Sequence, residues 1–175
     1  MTRSTERFPL LSRLLHWSMA VLILAMLFIG IGMVSTTSPR YFELLSIHKT
    51  IGIVILALVA VRLINRLFNP PPPLPRDLPN WQAFMAKASH YVLYVLMFAL
   101  PLIGWAMLSA GGYPIVVFGT LHLPAILPHD LAMFAVLRTA HTILAITLFA
   151  TFLAHLGAAL FLGFVRRDHV LQSMT

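Results

Sequence analysis

Residues 139–164 read TAHTILAITLFATFLAHLGAALFLGF, a run with no Asp, Glu, Lys or Arg. It exceeds the roughly 20 apolar residues that a helix needs to cross the hydrocarbon of a bilayer. The titratable side chains in it are His141 and His155. Fourteen steps of about 100° put them roughly 40° apart on one helix face, and a rise of 1.5 Å per residue separates them by about 21 Å along the axis. An ionisable group at such depth needs a partner or a purpose. The spacing predicts two sites, one toward each leaflet.

Three more stretches of similar character lie upstream, at 14–35, 46–67 and 89–109. Of the 175 residues, 59% are hydrophobic and only 10% charged, far outside the range of a soluble globular domain. The fold class expected is an all-α membrane protein, a bundle of four transmembrane helices forming one domain over residues 1–175. The first span follows the charged segment Met1–Arg13. It is too long for the core of a signal peptide and lacks a small-residue cleavage site, so it is expected to be retained.

Charge sets the expected orientation. Arg3, Arg7 and Arg13 precede span one, Arg62, Arg66, Arg76 and Lys87 surround the connection between spans two and three, and Arg166 and Arg167 follow span four. Arg40, Lys49 and Arg138 lie on the other side. Nine basic residues against three place both termini in the cytoplasm by the positive-inside bias. The net charge of +7 is thereby a topology signal, and nucleic acid is set aside as a partner. The lipid bilayer is the partner that the composition demands.

The connections have their own character. Asn69-Pro70-Pro71-Pro72-Pro73-Leu74-Pro75 reads as a stiff, extended spacer, because proline fixes its backbone and lacks a donor. Pro101 predicts a kink in span three. The apolar connection 111–137, with Pro114–Phe118 and Leu121–Leu127, is expected to lie along the membrane surface or to cover the outer site. Trp17, Trp81 and Trp105 fall near span boundaries, where indole rings anchor.

Depth sorts the histidines. His16, His90 and His155 form an inner group, and His48 and His141 an outer one; His122, His129 and His169 read as solvated residues of loop and tail. Zinc takes about four ligands, and no Asp or Glu accompanies these histidines inside the spans. Haem iron needs only two axial ligands from protein, and two neutral imidazoles give a centre suited to electron transfer. Two b-type haems are therefore expected. The chain has no cysteine, which excludes covalent c-type attachment and iron–sulfur clusters. Neither a G-x-G-x-x-G fingerprint nor a P-loop is present, so no soluble nucleotide cofactor is indicated.

The pieces that carry a family likeness are Arg13-Leu14-Leu15-His16-Trp17, Ile47-His48 with Gly52, Val61-Arg62-Leu63, Ser89-His90, Ala99-Leu100-Pro101-Leu102-Ile103-Gly104, His141, His155, and Arg166-Arg167-Asp168 with Val170-Leu171. In this order and spacing the chain resembles the bacterial cytochrome b561 family, the short four-helix, di-haem type that includes superoxide oxidase. The resemblance implies that His16 and His155 are the axial ligands of the inner haem and His48 and His141 those of the outer haem. His90 then becomes a supporting or quinone-site residue, although the spacing alone lets it replace either inner ligand. Arg13, Arg62 and Arg66 become residues of the inner propionates or of a quinone site, with snorkelling to the headgroups as the plain alternative. The chain departs from the family at Leu162-Gly163, where members often carry histidine.

The activity implied is oxidation of superoxide at the periplasmic side, with ubiquinone as electron acceptor in the bacterial inner membrane. Lys49 adjoins His48 and Arg138 lies one turn before His141, so both are candidates for steering superoxide or for holding propionates. A second reading is an electron-carrier subunit that links a dehydrogenase or hydrogenase to the quinone pool; a redox partner protein and a homo-oligomer both stay open. A third, a transporter using a histidine proton relay, would be expected to carry inverted repeats, and none is visible.

Overall fold

A computed structural model of the chain describes residues 8–70 and 79–166. Arg3, Arg7, most of the proline-rich connection with Arg76, and Arg167, Asp168 and His169 lie outside the described residues. The elements run α1 (Leu10–Ser35), α2 (Arg40–Phe68), α3 (Asn80–Ala110), β1 (Ile115–Val117), β2 (Leu121–Leu123) and α4 (Leu131–Leu160), with α4 continuing into a π-helical turn, Phe161–Arg166. Each helix contains one of the apolar stretches and extends past it. All four, the last counted through Arg166, are long and apolar enough to cross a membrane.

The helix ends follow local chemistry. Pro9, Pro39 and Pro79 immediately precede α1, α2 and α3, a place where a missing N–H costs nothing. Asp130 starts α4, its carboxylate accepting from the Met133 amide at 3.0 Å. That is the usual cap for an orphan donor. α3 runs through Pro101 and ends where Gly112 adopts φ +70°. There the Gly112 amide donates to Ser109 and the Tyr113 amide to Leu108, each at 3.0 Å, which closes the last carbonyls in a Schellman motif.

Between α3 and α4 the chain forms a small antiparallel hairpin, with Ile115 opposite Leu123 and Val117 opposite Leu121. Ile115 and Val117 are buried against α2 and α3. Two bonds tie the hairpin to α2: the Phe118 amide donates to Thr50 Oγ1 at 3.3 Å, and Lys49 Nζ to the Pro114 carbonyl at 3.5 Å. Farther along, Trp105 Nε1 donates to the Pro124 carbonyl and the Ile126 amide to Ser109 Oγ. The connection therefore covers the outer end of the bundle.

The core is a middle layer. Met19 and Ile23 of α1, Ile55 and Val59 of α2, Leu96, Met97 and Leu100 of α3 and Leu148 of α4 pack together. Leu148 lies seven residues from each of His141 and His155, so this layer separates the two histidine levels. The outward faces are apolar: Val34 is 88% and Phe68 80% exposed, surfaces that only lipid suits.

Candidate functional site

Helix packing creates the setting for the histidines. Among the described residues α1 packs along α2, α2 joins α3, and α3 packs along α4, whereas neither α1 nor α2 packs closely on α4. The side of α4 that carries His141, Leu148 and His155 thus meets α1 and α2 through side chains rather than through close backbone packing.

At the end that holds the α1 N-terminus, called inner here, His16, His90 and His155 come together. The ring centroids of His16 and His155 are 6.5 Å apart at 66°, and those of His90 and His155 5.0 Å apart at 81°. At the opposite, outer end His48 faces His141 at 6.1 Å and 58°. All five are half-buried.

Two facing imidazoles could hold one iron between them. A ring nitrogen binds a metal at about 2 Å and the ring centroid lies about 1 Å behind it, so two such rings on opposite sides would have centroids about 6 Å apart. The His16–His155 and His48–His141 pairs match that separation; His90–His155 is too close. His48 Nδ1 is buried with no hydrogen-bond partner among the described residues, an anomaly for an interior polar atom. No group of three or more His, Asp or Glu side chains among the described residues is arranged to hold an ion. The donor sets suit a cofactor that brings its own equatorial ligands.

The surroundings differ between the ends. Arg62 donates through Nη2 to His16 Nδ1 at 2.9 Å and through Nε to the Tyr94 hydroxyl at 3.2 Å. Arg66 sits over the Tyr94 ring at 5.5 Å. His90 Nδ1 donates to the Ala86 carbonyl at 2.6 Å, leaving Nε2 as its acceptor. Asn65 donates to Ser12 at 2.7 Å and ties α2 to α1 at this level. Arg13, half-buried one turn before His16, has an Nε without a partner among the described residues. At the outer end Gly104 lets α3 approach His141: a Cβ there would lie 3.6 Å from the imidazole.

The sequence-predicted cations separate. Lys49 is engaged by the Pro114 carbonyl, so its ammonium anchors the hairpin. Arg138 and Arg40 are exposed, and the Arg138 guanidinium has no partner among the described residues. The sequence reading missed Tyr94. Its signal was the registers of two helices: Tyr94 follows His90 by one turn, and Arg62 and Arg66 are one turn apart, so both pairs share helix faces.

A multi-pass bundle with facing imidazoles at two depths defines a class, the helical membrane cytochromes. The sequence model described as prokaryotic cytochrome b561 matches residues 7–175. The chain is 32% identical to cytochrome b561 homolog 2 of Escherichia coli K12, over 99% of this chain and 93% of that protein. It is 30% identical to homolog 1 of the same organism, over 97% of each. A probable superoxide oxidase, CybB, of Yersinia pestis is 34% identical over 78% of each chain. The protein belongs to the prokaryotic cytochrome b561 family, membrane electron carriers that use b-type haem.

Proposed function

We propose that this single transmembrane domain holds two b-type haems and oxidises superoxide at the periplasmic face of the inner membrane, with ubiquinone as acceptor and both termini cytoplasmic. His16 and His155 would hold the inner haem, and His48 and His141 the outer one. The haems supply one-electron acceptors that bridge the bilayer when bound. The observation that carries the reading is the two imidazole pairs, each at the separation that two histidines holding one iron would need. The similarity to a probable superoxide oxidase supports the choice of donor.

The chain's own residues have definite tasks in this scheme. Arg138, exposed one turn before His141, attracts the superoxide anion, and Arg40 adds to the field. Superoxide gives up one electron and leaves as dioxygen. Two such events, with two protons taken up from the cytoplasmic side, convert one ubiquinone to ubiquinol. Arg13, whose Nε has no partner among the described residues, and Arg62 would neutralise propionates at the inner level. Because a guanidinium only donates, the Arg62 contact leaves the His16 ring proton on Nε2. If Nε2 held the iron, the proton would have to sit on Nδ1, and Arg62 would turn from His16 to the propionates. His90, fixed by Ala86, supports the His155 ring.

The test is haem content of the purified protein and of single His→Ala variants at positions 16, 48, 90, 141 and 155. Expected are two haems per chain in the wild type and in His90→Ala, and one in each of the others. One haem or none in the wild type overturns the reading. Superoxide supplied as potassium superoxide to the loaded, deoxygenated protein should reduce the haems and then added ubiquinone. A stoichiometric dehydrogenase or hydrogenase partner, with no superoxide oxidation by the isolated chain, selects the carrier-subunit alternative.

A further inference from the structure

Arg62 and Arg66 carry charge on a membrane-spanning helix, and among the described residues no carboxylate neutralises them. The acidic side chains among the described residues, Glu43 and Asp130, lie at the other end of the bundle. Charges inside a bilayer are held where a pathway or ligand requires them. Here both guanidiniums converge on one phenol. Arg62 and Arg66 lie 5.8 and 5.5 Å from the Tyr94 ring centroid, and Arg62 Nε donates to its oxygen. A phenol oxygen accepts and also donates one proton. That proton has no acceptor among the described residues.

We propose that the Tyr94 hydroxyl, held by Arg62 and Arg66, is the hydrogen-bond donor to a carbonyl oxygen of the quinone head group. The inference deepens the quinone part of the function proposed above and rests on it. Tyr94 lies about 6 Å deeper than His90, one turn along the same face of α3, below the headgroup level and within reach of a lipid-dissolved quinone. Exposed Ile64 and Leu67 on α2 and Tyr91 and Val95 on α3 flank the approach from lipid. Through Arg62 the phenol is joined to His16, so the acceptor oxygen is placed beside the inner imidazole group.

The donor set discriminates between oxygen ligands. A carboxylate pairs directly with the guanidinium fork and gains nothing from an intervening phenol. A neutral carbonyl oxygen needs a donor first and cations second, as negative charge collects on it during reduction. Interactions that strengthen as charge develops are those that accelerate a reaction. Tyr94 with two arginines behind it has this form.

The experiment uses haem-loaded protein in lipid nanodiscs, reduced anaerobically with one equivalent of reductant per haem. It is mixed with a ubiquinone analogue bearing two isoprenoid units, and haem reoxidation is followed by stopped flow. Quinone retained through purification is quantified alongside. In Tyr94→Phe the half-saturating quinone concentration should rise about tenfold, the loss expected for one hydrogen bond to a charge-bearing oxygen, and retained quinone should fall. Arg66→Gln should raise it about threefold, with Arg66→Lys partly restoring it. Tyr91→Phe, on the exposed face, should match the wild type, and superoxide-driven haem reduction without quinone should be unchanged in Tyr94→Phe.

A wild-type curve and wild-type quinone content in Tyr94→Phe, with both haem spectra intact, overturn the proposal. Should that variant lose a haem, Arg66→Gln decides, since it leaves Arg62 and Tyr94 themselves unaltered; a wild-type curve there overturns the proposal equally. Reduced wild type that quinone fails to reoxidise removes both the quinone reading and this site. If quinone reoxidises it in a Tyr94-dependent way and superoxide does not reduce it, the site stands and the donor alone is wrong.

Discussion

At the outer end one imidazole pair, His48 and His141, is bordered by Gly104, by hydrocarbon and by a hairpin fastened to α2. At the inner end three imidazoles share a network with Arg62, Tyr94 and the Asn65–Ser12 bond. The contrast matches what the proposed function would ask of the two ends. Oxidising a small anion moves an electron and no proton, and a shielded imidazole pair with the exposed cations Arg40 and Arg138 outside would suffice. Reducing a quinone gathers charge and protons, and a polar network is then worth its desolvation cost.

The contrast breaks most completely at Gly104. A methyl group at position 104 would already stand 3.6 Å from the His141 ring, an ordinary contact, so a longer side chain directed the same way would run into the imidazole. Gly104→Leu should therefore displace the imidazole and abolish the outer haem while the inner one persists, with Gly104→Ala close to wild type. Haem-to-protein ratio and a redox titration resolve the two. An unchanged spectrum in Gly104→Leu would show that His141 is not confined as described.

A smaller effect is expected at the inner end. Arg62→Gln removes a cation beside His16, which destabilises the more negative reduced state. The inner midpoint potential should fall by roughly tens of millivolts while the outer one stays fixed. Equal shifts at both centres would dissolve the distinction between the ends.

Arg138→Glu should slow haem reduction by superoxide about tenfold at low ionic strength and flatten its decline with salt. Lys49→Gln should have the lesser effect on that rate, because the ammonium is already engaged by Pro114. The reverse ranking would return Lys49 to the steering role that its place in the sequence suggests. Smallest is Thr50→Ala, which removes the acceptor of the Phe118 amide. A lost bond of about 1 kcal/mol corresponds to roughly fivefold faster hydrogen exchange at that amide.

The helices and histidine levels were legible because both depend on period and length along one chain. His141 and His155 share a face by arithmetic, and the apolar stretches each lie inside a helix. Helix ends were less legible. α3 starts at Asn80, well before Ser89, since Asn80, Gln82 and Lys87 interrupt Trp81, Phe84 and Met85 and break the continuous apolar run by which a span is recognised. The hairpin was visible only as an apolar connection. Its turn places Phe118 at φ 51°, a conformation no composition rule assigns to phenylalanine. One partner of Lys49 was hidden for a related reason: adjacency to His48 is local, but the Pro114 carbonyl that engages it is 65 residues away. Tyr94 escaped because a tyrosine in a membrane helix ordinarily signals an interface, and only the convergence of two helices reveals its arginine partners.

The unequal packing of the helices bears finally on assembly. Among the described residues the backbone of α4 runs close to α3, and α4 meets α1 and α2 through side chains such as Leu148. Loosening those side-chain contacts would let a flat, greasy pigment slide in sideways from the lipid, with no strand of backbone threaded around it. Maturation of such a scaffold resembles closing a hinged cover over its contents more than building a cage around them.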